Sequence, residues 1–382
     1  MTDRDPGETD VLVVGAGVAG CSVALELLDR GVGVSVLDPG AEGPSTRAAA
    51  GMLTARYECA DDEAMLRLGM WSRALHPRFL DRVERLSGAD AGLRADGMLV
   101  ANRDAGAEEE AREMTRWQAD VLGTAESGPE PRLLSPEEAA ERHAWASREM
   151  ESYLWLPGEA QVDAQALAAA LPEAVRAAGG EVRSGAAGEV RAVSSAGERV
   201  TGVETRSGEE VAAGAVVLAA GAWSRRIGGL PRRVPVRPVR GQILRLDPAG
   251  EPPAPLLADH RGRYAVPRAD GTVVAGSTME ETGFDVSVTD EGRSSIRRAV
   301  GELAPPLREA PEVDEWAGLR PISADDRPIL GPDPDLDGLH YATGYGRNGV
   351  LLAPAAAATV SDLLLDGETE REWRPFRAGR FS

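Results

Sequence analysis

The sequence predicts an α/β fold, in which a Rossmann-like nucleotide-binding domain is interleaved with an α+β domain containing a mixed, largely antiparallel sheet. The chain opens with an apolar strand, a glycine-rich turn and a helical segment, in that order. Its 382 residues and 40.2 kDa exceed one small domain and suit one large domain or two interleaved ones. Beyond Pro231, short strand-like segments alternate with turns, which is typical of a second, sheet-rich unit.

The N-terminal βαβ unit is the clearest local prediction. Residues 11–14 form an apolar strand, and a helical pattern follows the glycine-rich turn as far as Arg30-Gly31, where the glycine ends the helix. A second apolar run, 32–37, predicts a strand that ends at Asp38. The unit spans about 30 residues, the usual size of a βαβ motif.

The rest of the chain carries further helical and strand-like patterns. We expect helices over 61–86, 105–120, 163–178 and 349–365, a helix start at the capping box of 135–138, and a loop over 123–134. Strands are expected at 97–102, 181–183, 189–193, 199–206, 241–246, 264–268, 272–278 and 339–344, and within 216–224, where a buried strand runs into a glycine turn.

Charge and composition exclude several classes of function. The net charge is −20 with a sequence pI near 4.8, so nucleic acid and anionic membranes, which both need a basic surface, are not expected as partners. The sequence contains no lysine, and all 42 basic residues are arginine. A Schiff base on an internal lysine and a Walker-type P-loop are therefore excluded.

Cysteine usage and hydropathy favour a reducing compartment. Cys21 and Cys59 do not suggest a disulfide scaffold or a metal site. No apolar run approaches the length of a membrane span, and the acidic start Met1–Asp5 is followed by no signal-type apolar stretch. We therefore expect cytoplasmic localisation, no membrane association and no bound metal.

A dinucleotide-binding motif lies between the first strand and the first helix. Gly15 allows the tight turn, Gly17 lets a pyrophosphate approach the backbone, and Gly20 lets helix and strand pack closely. The helix N-terminus supplies N–H groups for the phosphates. Asp38, at the end of the second strand, is placed to bind a ribose hydroxyl and disfavours NADP, whose 2′-phosphate it would repel.

Three other segments favour FAD over NAD. The segment 216–224 (VVLAAGAWS) has the strand-then-glycine pattern that recurs near the cofactor in FAD enzymes. Small residues within 47–52 allow the backbone to approach a flat ring. The last apolar helix begins near 346–349, and the dipole at its N-terminus would stabilise negative charge on a reduced flavin.

The whole chain resembles the D-amino-acid-oxidase superfamily of FAD-dependent oxidoreductases, and within it the glycine oxidase branch associated with thiamine biosynthesis. The resemblance runs from residue 11 to about 366, and AAAGML and RNGxLLAPA are more specific than the glycine triplet. The segments that carry it are VLVVGAGVAG, RAAAGML, VVLAAGAWS, YAVPR, VVAGSTME, WAGLRPISADDRPILG and GYGRNGVLLAPAAA.

The resemblance assigns roles to individual residues. Arg320 matches the arginine that grips the substrate carboxylate, which a guanidinium can do with two parallel hydrogen bonds. Tyr264 matches a tyrosine that helps to hold that carboxylate, and Arg347 matches an arginine beside the flavin pocket. Met279 and Met52 match residues that line the substrate cavity, and Tyr345 occupies a position that reaches the substrate.

The implied cofactor is noncovalent FAD, since in relatives with a covalent flavin the linking cysteine lies late in the chain and here none follows Cys59. None of the four histidines falls in a matched motif, so no histidine is expected to act as the base. The residues expected to contact FAD are Gly15, Gly17, Gly20, Asp38, Arg47, Ala48, Ala50, Gly51, Met52, Val182, Ala220, Gly221, Gly346, Arg347, Asn348, Gly349, Val350 and Leu351.

The implied reaction is oxidative deamination of glycine or a small glycine-like amino acid. Hydride passes from the α-carbon to flavin N5, the imine hydrolyses to an α-keto acid such as glyoxylate, and O₂ is reduced to hydrogen peroxide. The small amino acid and O₂ are then the partners, in a monomer or a homo-oligomer. Two alternatives stay open: a D-amino-acid or N-substituted-glycine oxidase or dehydrogenase of specialised metabolism, and a non-catalytic nucleotide-binding protein.

The resemblance also implies how the two domains share the chain. The FAD-binding domain is expected to take residues 8–88, 162–235 and 317–376. The substrate domain is expected to take 89–161 and 236–316 and to place its sheet over the flavin. The substrate pocket should then lie between the two domains, as is usual for small-molecule sites.

Overall fold

The computed structural model describes residues 10–59, 61–126, 128–250 and 252–381, without the side chains of 124–126. The acidic stretch Met1–Asp5 and the first two residues of the predicted interval 8–88 lie outside these ranges. The α-helices are α1 (Val18–Asp29), α2 (Ser45–Ala48), α3 (Ala55–Glu58), α4 (Glu63–Ser87), α5 (Ala105–Glu126), α6 (Pro136–Arg142), α7 (Ala164–Ala177), α8 (Asp290–Leu303) and α9 (Gly349–Leu365).

The strands of the described residues form four sheets. They are β1 (Val11–Val14), β2 (Val34–Asp38), β3 (Met52–Leu53), β4 (Met98–Asn102), β5 (Arg132–Leu134), β6 (Ser152–Leu156), β7 (Ala160–Gln161), β8 (Glu181–Ser184), β9 (Val190–Ala196), β10 (Arg199–Thr205), β11 (Glu210–Ala212), β12 (Ala215–Leu218), β13 (Val236–Leu246), β14 (Leu256–Asp259), β15 (Tyr264–Pro267), β16 (Val273–Gly276), β17 (Glu312–Ser323), β18 (Ile329–Pro332) and β19 (Leu339–Thr343).

A six-stranded sheet in the order β18-β19-β12-β1-β2-β8 carries the predicted Rossmann-like unit. All neighbours in it are parallel except β18 and β19. From β1 the chain moves to β2 on one side, and β12 later pairs with β1 on the other side. The strand order therefore reverses between β1 and β12, and ligands of open α/β sheets bind outside the carboxyl ends of the strands at this point.

Helices α1, α4, α7 and α9 build one apolar core on this sheet. Helix α1 packs directly against α9, which also contacts α4. Leu25 of α1 and Leu352 of α9 are completely buried in it. Twelve of the 17 residues of helix α9 are buried, and the helix is apolar on most of its sides, as expected for a helix inside a domain.

An eight-stranded sheet forms the second unit, in the order β17-β13-β16-β15-β14-β4-β6-β5. Strands β4 and β14 run parallel, and the other neighbours run antiparallel. The long pair β13–β17 sets Arg320 opposite Val239 and Gly318 opposite Gly241. The predicted fold class, with a mixed and largely antiparallel second sheet, is thereby confirmed.

The sheets follow the predicted domain intervals with two exceptions. Strand β17 crosses the boundary between 316 and 317, and the short pair β3–β7 joins residues from both units. The division into domains itself stays a prediction.

Two local expectations have definite outcomes. The capping box is confirmed: the Ser135 hydroxyl accepts the Glu138 N–H at 3.2 Å, and the Glu138 carboxylate accepts the Ser135 N–H at 2.8 Å. The loop expected over 123–134 is wrong at its end, because residues 132–134 form β5, whereas at its start Gly123 interrupts α5 with a non-helical φ of 61° before the helix resumes as far as Glu126. Strand β5 pairs with the fully buried β6, so the sheet edge imposes strand structure on it.

Candidate active site

One cavity of about 960 Å³ is lined by residues at the carboxyl ends of β1, β2, β8 and β12 and by residues of the eight-stranded sheet. This volume lies at the upper end of the usual range for ligand pockets. The cavity-lining residues on the Rossmann-like side include Gly15, Asp38, Val182 and Ala219. Those on the other side include Gly241, Ile243, Tyr264 and Arg320. The cavity therefore joins the predicted nucleotide site to the predicted substrate site.

The glycine-rich turn is packed so tightly that it needs glycine. Gly15 has a positive φ of 111°, and a Cβ on it would overlap the carbonyl oxygen of Ala219 in the adjacent chain segment. A Cβ on Gly20 would overlap the carbonyl oxygen of Gly15. Gly20 does not line the cavity; it lets α1 begin close to β1. Gly17 caps α1 without a side-chain bond, and the Val18 N–H donates to the Thr46 hydroxyl at 3.0 Å. The first turn of the helix lies at the cavity wall with its remaining N–H groups.

The Asp38 carboxylate is held by backbone groups. The Ala16 N–H donates to Oδ2 at 2.6 Å and the Gly40 N–H donates to Oδ1 at 2.7 Å. Asp38 also lines the cavity. A carboxylate has about four lone-pair sites, so the two used here leave acceptors for ligand hydroxyls.

The segment 47–52 crosses the middle of the cavity wall. Its lining residues include Arg47, Ala48, Ala50, Gly51 and Met52, all of which are expected to contact FAD. Gly51 has a φ of 74°, and a Cβ there would overlap the carbonyl oxygen of Val162. Arg268 donates to the carbonyl oxygen of Ala50 at 2.8 Å and fixes the segment from the opposite sheet.

The start of α9 forms the facing wall. The lining includes Ala220, Gly221, Tyr345, Gly346, Arg347, Asn348, Gly349 and Val350. The Tyr345 hydroxyl and Asn348 Oδ1 are buried there with no hydrogen-bond partner within the described residues. Unpartnered buried polar atoms are rare in native proteins and point to a missing ligand or water. Leu351, predicted to contact FAD, lies behind this wall instead.

Arg320 and Tyr264 meet at the end formed by the eight-stranded sheet. Arg320 Nη1 donates to the carbonyl oxygen of Thr278 at 3.0 Å, and Nη2 donates to the Ser277 hydroxyl at 2.8 Å. A Cβ on Gly241 would overlap the Arg320 guanidinium, so the bare backbone of β13 makes room for it. A guanidinium has five N–H donors, which leaves three for a ligand.

Burial dominates the electrostatics of this end. It lowers the pKa of Arg320 and raises the pKa of the Tyr264 phenol. Arg320 and a hydrogen bond with Ser277 act in the opposite direction on Tyr264. The arginine remains a cation, and the phenol remains a neutral hydrogen-bond donor at physiological pH.

Glu58 is a cavity residue that sequence reasoning missed. Its Oε2 accepts bonds from Nε and Nη2 of Arg347 at 3.1 and 2.6 Å. The Glu58 side chain is 7% exposed and that of Arg347 is 37% exposed. Glu58 raises the pKa of Arg347, which stays charged. No sequence pattern marks Glu58, since it ends the four-residue helix α3 far from Arg347 in the chain.

Met279 does not line the cavity, contrary to the prediction. Its side chain is 55% exposed. The neighbouring residues Thr278 and Glu280 both bond to β13, through the Gln242 N–H at 2.9 Å and the Arg240 side chain. Because successive side chains of an extended chain point to opposite sides, Met279 between them faces solvent.

The histidines do not line the cavity. Burial lowers the pKa of His76, His143 and His340 to about 4, so all three are neutral at physiological pH. Within the described ranges, no cluster of three or more His, Cys, Asp or Glu residues is arranged to hold a metal ion. No helix of the described chain is long and apolar enough to cross a membrane.

Comparison with known proteins places these features in a family. The model of the DAO family, described as FAD dependent oxidoreductase, matches residues 10–363. The chain belongs to this family. It is therefore an FAD-dependent oxidoreductase, as the sequence predicts.

Similar members of the DAO family are known. Glycine oxidase of Pseudomonas aeruginosa is 34% identical over 376 residues, which cover 97% of this chain and 99% of that protein. The crystal structure of glycine oxidase from Geobacillus kaustophilus superposes with a TM-score of 0.89 at 30% identity and covers 97% of this chain and 98% of that one. Iminodiacetate oxidase from Chelativorans sp. BNC1 superposes with a TM-score of 0.87 at 25% identity, covering 96% and 98% of the two chains.

The cavity of this DAO-family chain fits FAD on its own geometry. Two helix N-termini, those of α1 and α9, begin at its wall, and Asp38 offers carboxylate acceptors beside the first of them. Gly15 and Gly17 line the cavity without a side chain, so a pyrophosphate can approach the backbone of the turn there. The buried Tyr345 hydroxyl and Asn348 Oδ1 lack protein partners within the described chain, as expected of atoms that face a polar cofactor.

Proposed function

We propose that the protein catalyses the FAD-dependent oxidative deamination of glycine or a small glycine-like amino acid. The observation that carries this is the placement of Arg320 and Tyr264 together at the end of the cofactor cavity. A cation with unused donors beside a neutral phenol is suited to one carboxylate. The similarity to two glycine oxidases over nearly the full length supports the same reaction.

Arg320 is the proposed carboxylate anchor. The bonds to Thr278 and Ser277 fix the plane of its guanidinium, so its three remaining N–H groups have a set direction. The Tyr264 hydroxyl adds a donor on the same side, because its ring lies over Gly276, next to Ser277. Such pre-organised donors orient the substrate α-carbon at little entropic cost.

FAD, when bound, supplies the acceptor for the hydride that leaves the α-carbon. The chain would hold it through the α1 N-terminus, Asp38, segment 47–52 and the α9 N-terminus, all of which line the cavity. The walls beside Arg320 include Met52, Ile243 and Tyr345, which are apolar or buried and limit the access of water. No histidine lines the cavity, so we propose that the substrate amine reacts in its neutral form without a protein base.

A panel of substrates tests the proposal. Purified yellow holoenzyme is mixed anaerobically with glycine, sarcosine, D-alanine, L-alanine and iminodiacetate, and flavin bleaching is followed. We expect glycine or a small N-substituted glycine to bleach the flavin fastest, with release of an α-keto acid. A flavin that none of these compounds reduces would refute the proposal.

A dehydrogenase is the second candidate, because the sequence has no lysine that could assist O₂ at the flavin, as one does in related N-methyl-amino-acid oxidases. The two candidates differ in the oxidative half-reaction. Substrate-reduced enzyme is mixed with oxygenated buffer or with a quinone analogue. Rapid reoxidation by O₂ with stoichiometric peroxide identifies an oxidase, whereas reoxidation by the quinone alone identifies a dehydrogenase.

A further inference from the structure

Three charged residues share the substrate end of the cavity: Arg320, Arg347 and Glu58. Arg320 bonds only to neutral groups, the Thr278 carbonyl and the Ser277 hydroxyl, so its charge is available to a ligand. Arg347 instead shares its charge with Glu58 through two hydrogen bonds. The substrate end of the cavity therefore carries one cation without a charged hydrogen-bond partner, Arg320, and one ion pair, Arg347 with Glu58.

The pair lies close enough to Arg320 for both of its charges to act there. Glu58 raises and Arg347 lowers the pKa of Arg320, after the larger effect of burial. Both also act on Tyr264, with opposite signs. Their influence on the anchor residues thus cancels in part, and the pair acts as a neutral unit toward a substrate bound to Arg320.

Arg347 could serve a second anion if Glu58 did not occupy it. Its side chain reaches the outside of the cavity, with 37% exposure. Its Nη1 has no hydrogen-bond acceptor within the described residues, and it lies beside Gly262, where a Cβ would come within 2.9 Å. The Nε and Nη2 atoms of Arg347 form the edge that could bind a carboxylate with two hydrogen bonds, and the Glu58 carboxylate occupies both.

Glu58 is also held in place, so it cannot easily leave Arg347. The preceding residues of α3 are anchored: the Arg56 N–H donates to the buried Glu159 carboxylate at 2.8 Å, and the Tyr57 hydroxyl donates to the Asp259 carbonyl oxygen at 2.6 Å. The Glu58 N–H closes α3 onto the Thr54 carbonyl oxygen at 2.8 Å. Displacing the carboxylate would leave it buried and unpaired, which is costly.

We propose that Glu58, by occupying Arg347, determines the charge of the substrate: the cavity takes amino acids with one carboxylate and discriminates against those with a second carboxylate or a phosphonate. This inference rests on the proposed function, since it assumes that Arg320 anchors the first carboxylate. A second anion near Arg347 would be repelled by Glu58 and would have to replace a bond that is already made. Specificity then depends on repulsion by Glu58 as well as on attraction by Arg320.

Two unreactive anions test this without turnover. Methoxyacetate carries one carboxylate and diglycolate carries two, and neither has an amine to oxidise. Their dissociation constants are measured from the change in the visible spectrum of the bound flavin. For the wild-type holoenzyme we expect methoxyacetate to bind at least as tightly as diglycolate.

The Glu58→Gln variant keeps the shape of the side chain and removes its charge. We expect its diglycolate affinity to rise at least tenfold relative to its methoxyacetate affinity, or ~1.4 kcal/mol in selectivity. The matched control is Glu63→Gln, which removes the same charge from an exposed ion pair with Arg67 and should leave the ratio unchanged. The double variant Glu58→Gln/Arg347→Gln should lose this gain in diglycolate affinity, because in Glu58→Gln it is Arg347 that binds the second carboxylate.

Each result decides the inference. An unchanged ratio in Glu58→Gln, or an equal gain for both anions, overturns it. If Glu58→Gln fails to hold FAD, the Arg347→Gln variant is used instead. Removing the Arg347 cation leaves the Glu58 charge uncompensated, so the binding of diglycolate must weaken more than the binding of methoxyacetate. The opposite order overturns the inference. Because these are binding measurements, a failure of glycine to reduce the wild-type flavin refutes the proposed function separately.

Discussion

The imidazole Nε2 of His76 in α4 lies 3.1 Å from the carbonyl oxygen of Leu351 in α9. The α9 helix contains Pro354, which has no N–H and disturbs the helical bonding of the preceding turn. One turn before His76, the Ser72 hydroxyl accepts the Ala355 N–H at 3.1 Å. Two side chains of α4 thus satisfy backbone groups next to the proline, and α4 thereby supports the helix whose N-terminus lines the cavity.

Replacing His76 should weaken this support. His76→Ala leaves the Leu351 carbonyl oxygen without its partner in a buried site, and we expect a loss of ~1–3 kcal/mol in the free energy of unfolding. His76→Gln can still donate an N–H and should recover part of the loss. Urea denaturation of the three proteins measures both values, and equal losses in Ala and Gln would show that packing rather than the hydrogen bond matters.

Stability should fall as the pH is lowered from about 6.5 to about 4. Burial holds the pKa of His76, His143 and His340 at about 4 in the folded chain, below the ordinary value of 6.5. In that window the unfolded chain binds protons that the folded chain does not, so protonation favours unfolding. Above the ordinary value both states are neutral, and this contribution no longer changes with pH.

His143 is suited to test this pH dependence because it does not line the cavity. Between about pH 7 and pH 5 it should account for up to ~2 kcal/mol of lost stability. His143→Gln should therefore lose less stability over that interval than the wild type, measured by urea denaturation at each pH. Identical losses in both proteins would mean that His143 is already protonated in the folded state at pH 5, or that it does not contribute.

The sequence sufficed for features that depend on local patterns. The βαβ start, the capping box at Ser135 and helix α9 follow from motif spacing and periodicity, and all three are present. Glu58 could not be found in this way, because its importance depends on Arg347, which meets it only in the folded chain. The motif VVAGSTME predicts that Met279 lines the substrate cavity, yet the side to which Met279 points depends on the hydrogen bonds of its neighbours to β13.

Arg320→Ala should strongly lower kcat/KM for carboxylate substrates while the protein stays yellow. Arg320 contacts the substrate end of the cavity and not the glycine-rich turn, so FAD should remain bound. Losing a buried charge-assisted anchor costs ~2–5 kcal/mol, or roughly 30- to 5,000-fold in kcat/KM. Arg293→Ala, at an exposed ion pair, is the matched control and should leave kcat/KM unchanged.

For these variants, steady-state kinetics measures kcat/KM and the visible spectrum measures the FAD content. If Arg320→Ala retains wild-type kcat/KM, the anchor has been assigned to the wrong arginine. Tyr264→Phe separates the second donor: it keeps the ring over Gly276 and removes only the hydroxyl. We expect a loss of ~1.5–3 kcal/mol there, smaller than for Arg320→Ala, since the phenol donates one hydrogen bond to the carboxylate whereas the guanidinium offers several donors and a full charge.

Gly20→Ala should prevent FAD binding. The added Cβ would overlap the carbonyl oxygen of Gly15, a residue whose N–H is bonded to the Leu37 carbonyl oxygen of β2 at 2.8 Å. The turn must then open, which moves the α1 N-terminus away from the cavity wall. Purified Gly20→Ala should be colourless, or release FAD on gel filtration, under conditions where the wild type stays yellow.

Gly106→Ala provides the matched control for this glycine substitution. Gly106 lies in the first turn of α5, away from the cavity, and a Cβ there would approach only the Asp104 carboxylate, at 3.2 Å, which accepts the Ala107 N–H at 2.9 Å. Alanine can adopt the backbone conformation of Gly106, which has no positive φ, so this variant should be about as stable as the wild type and fully yellow. Equal FAD content in Gly20→Ala and Gly106→Ala would show that the turn has room for a methyl group and that the tight packing of Gly20 on Gly15 does not govern cofactor binding.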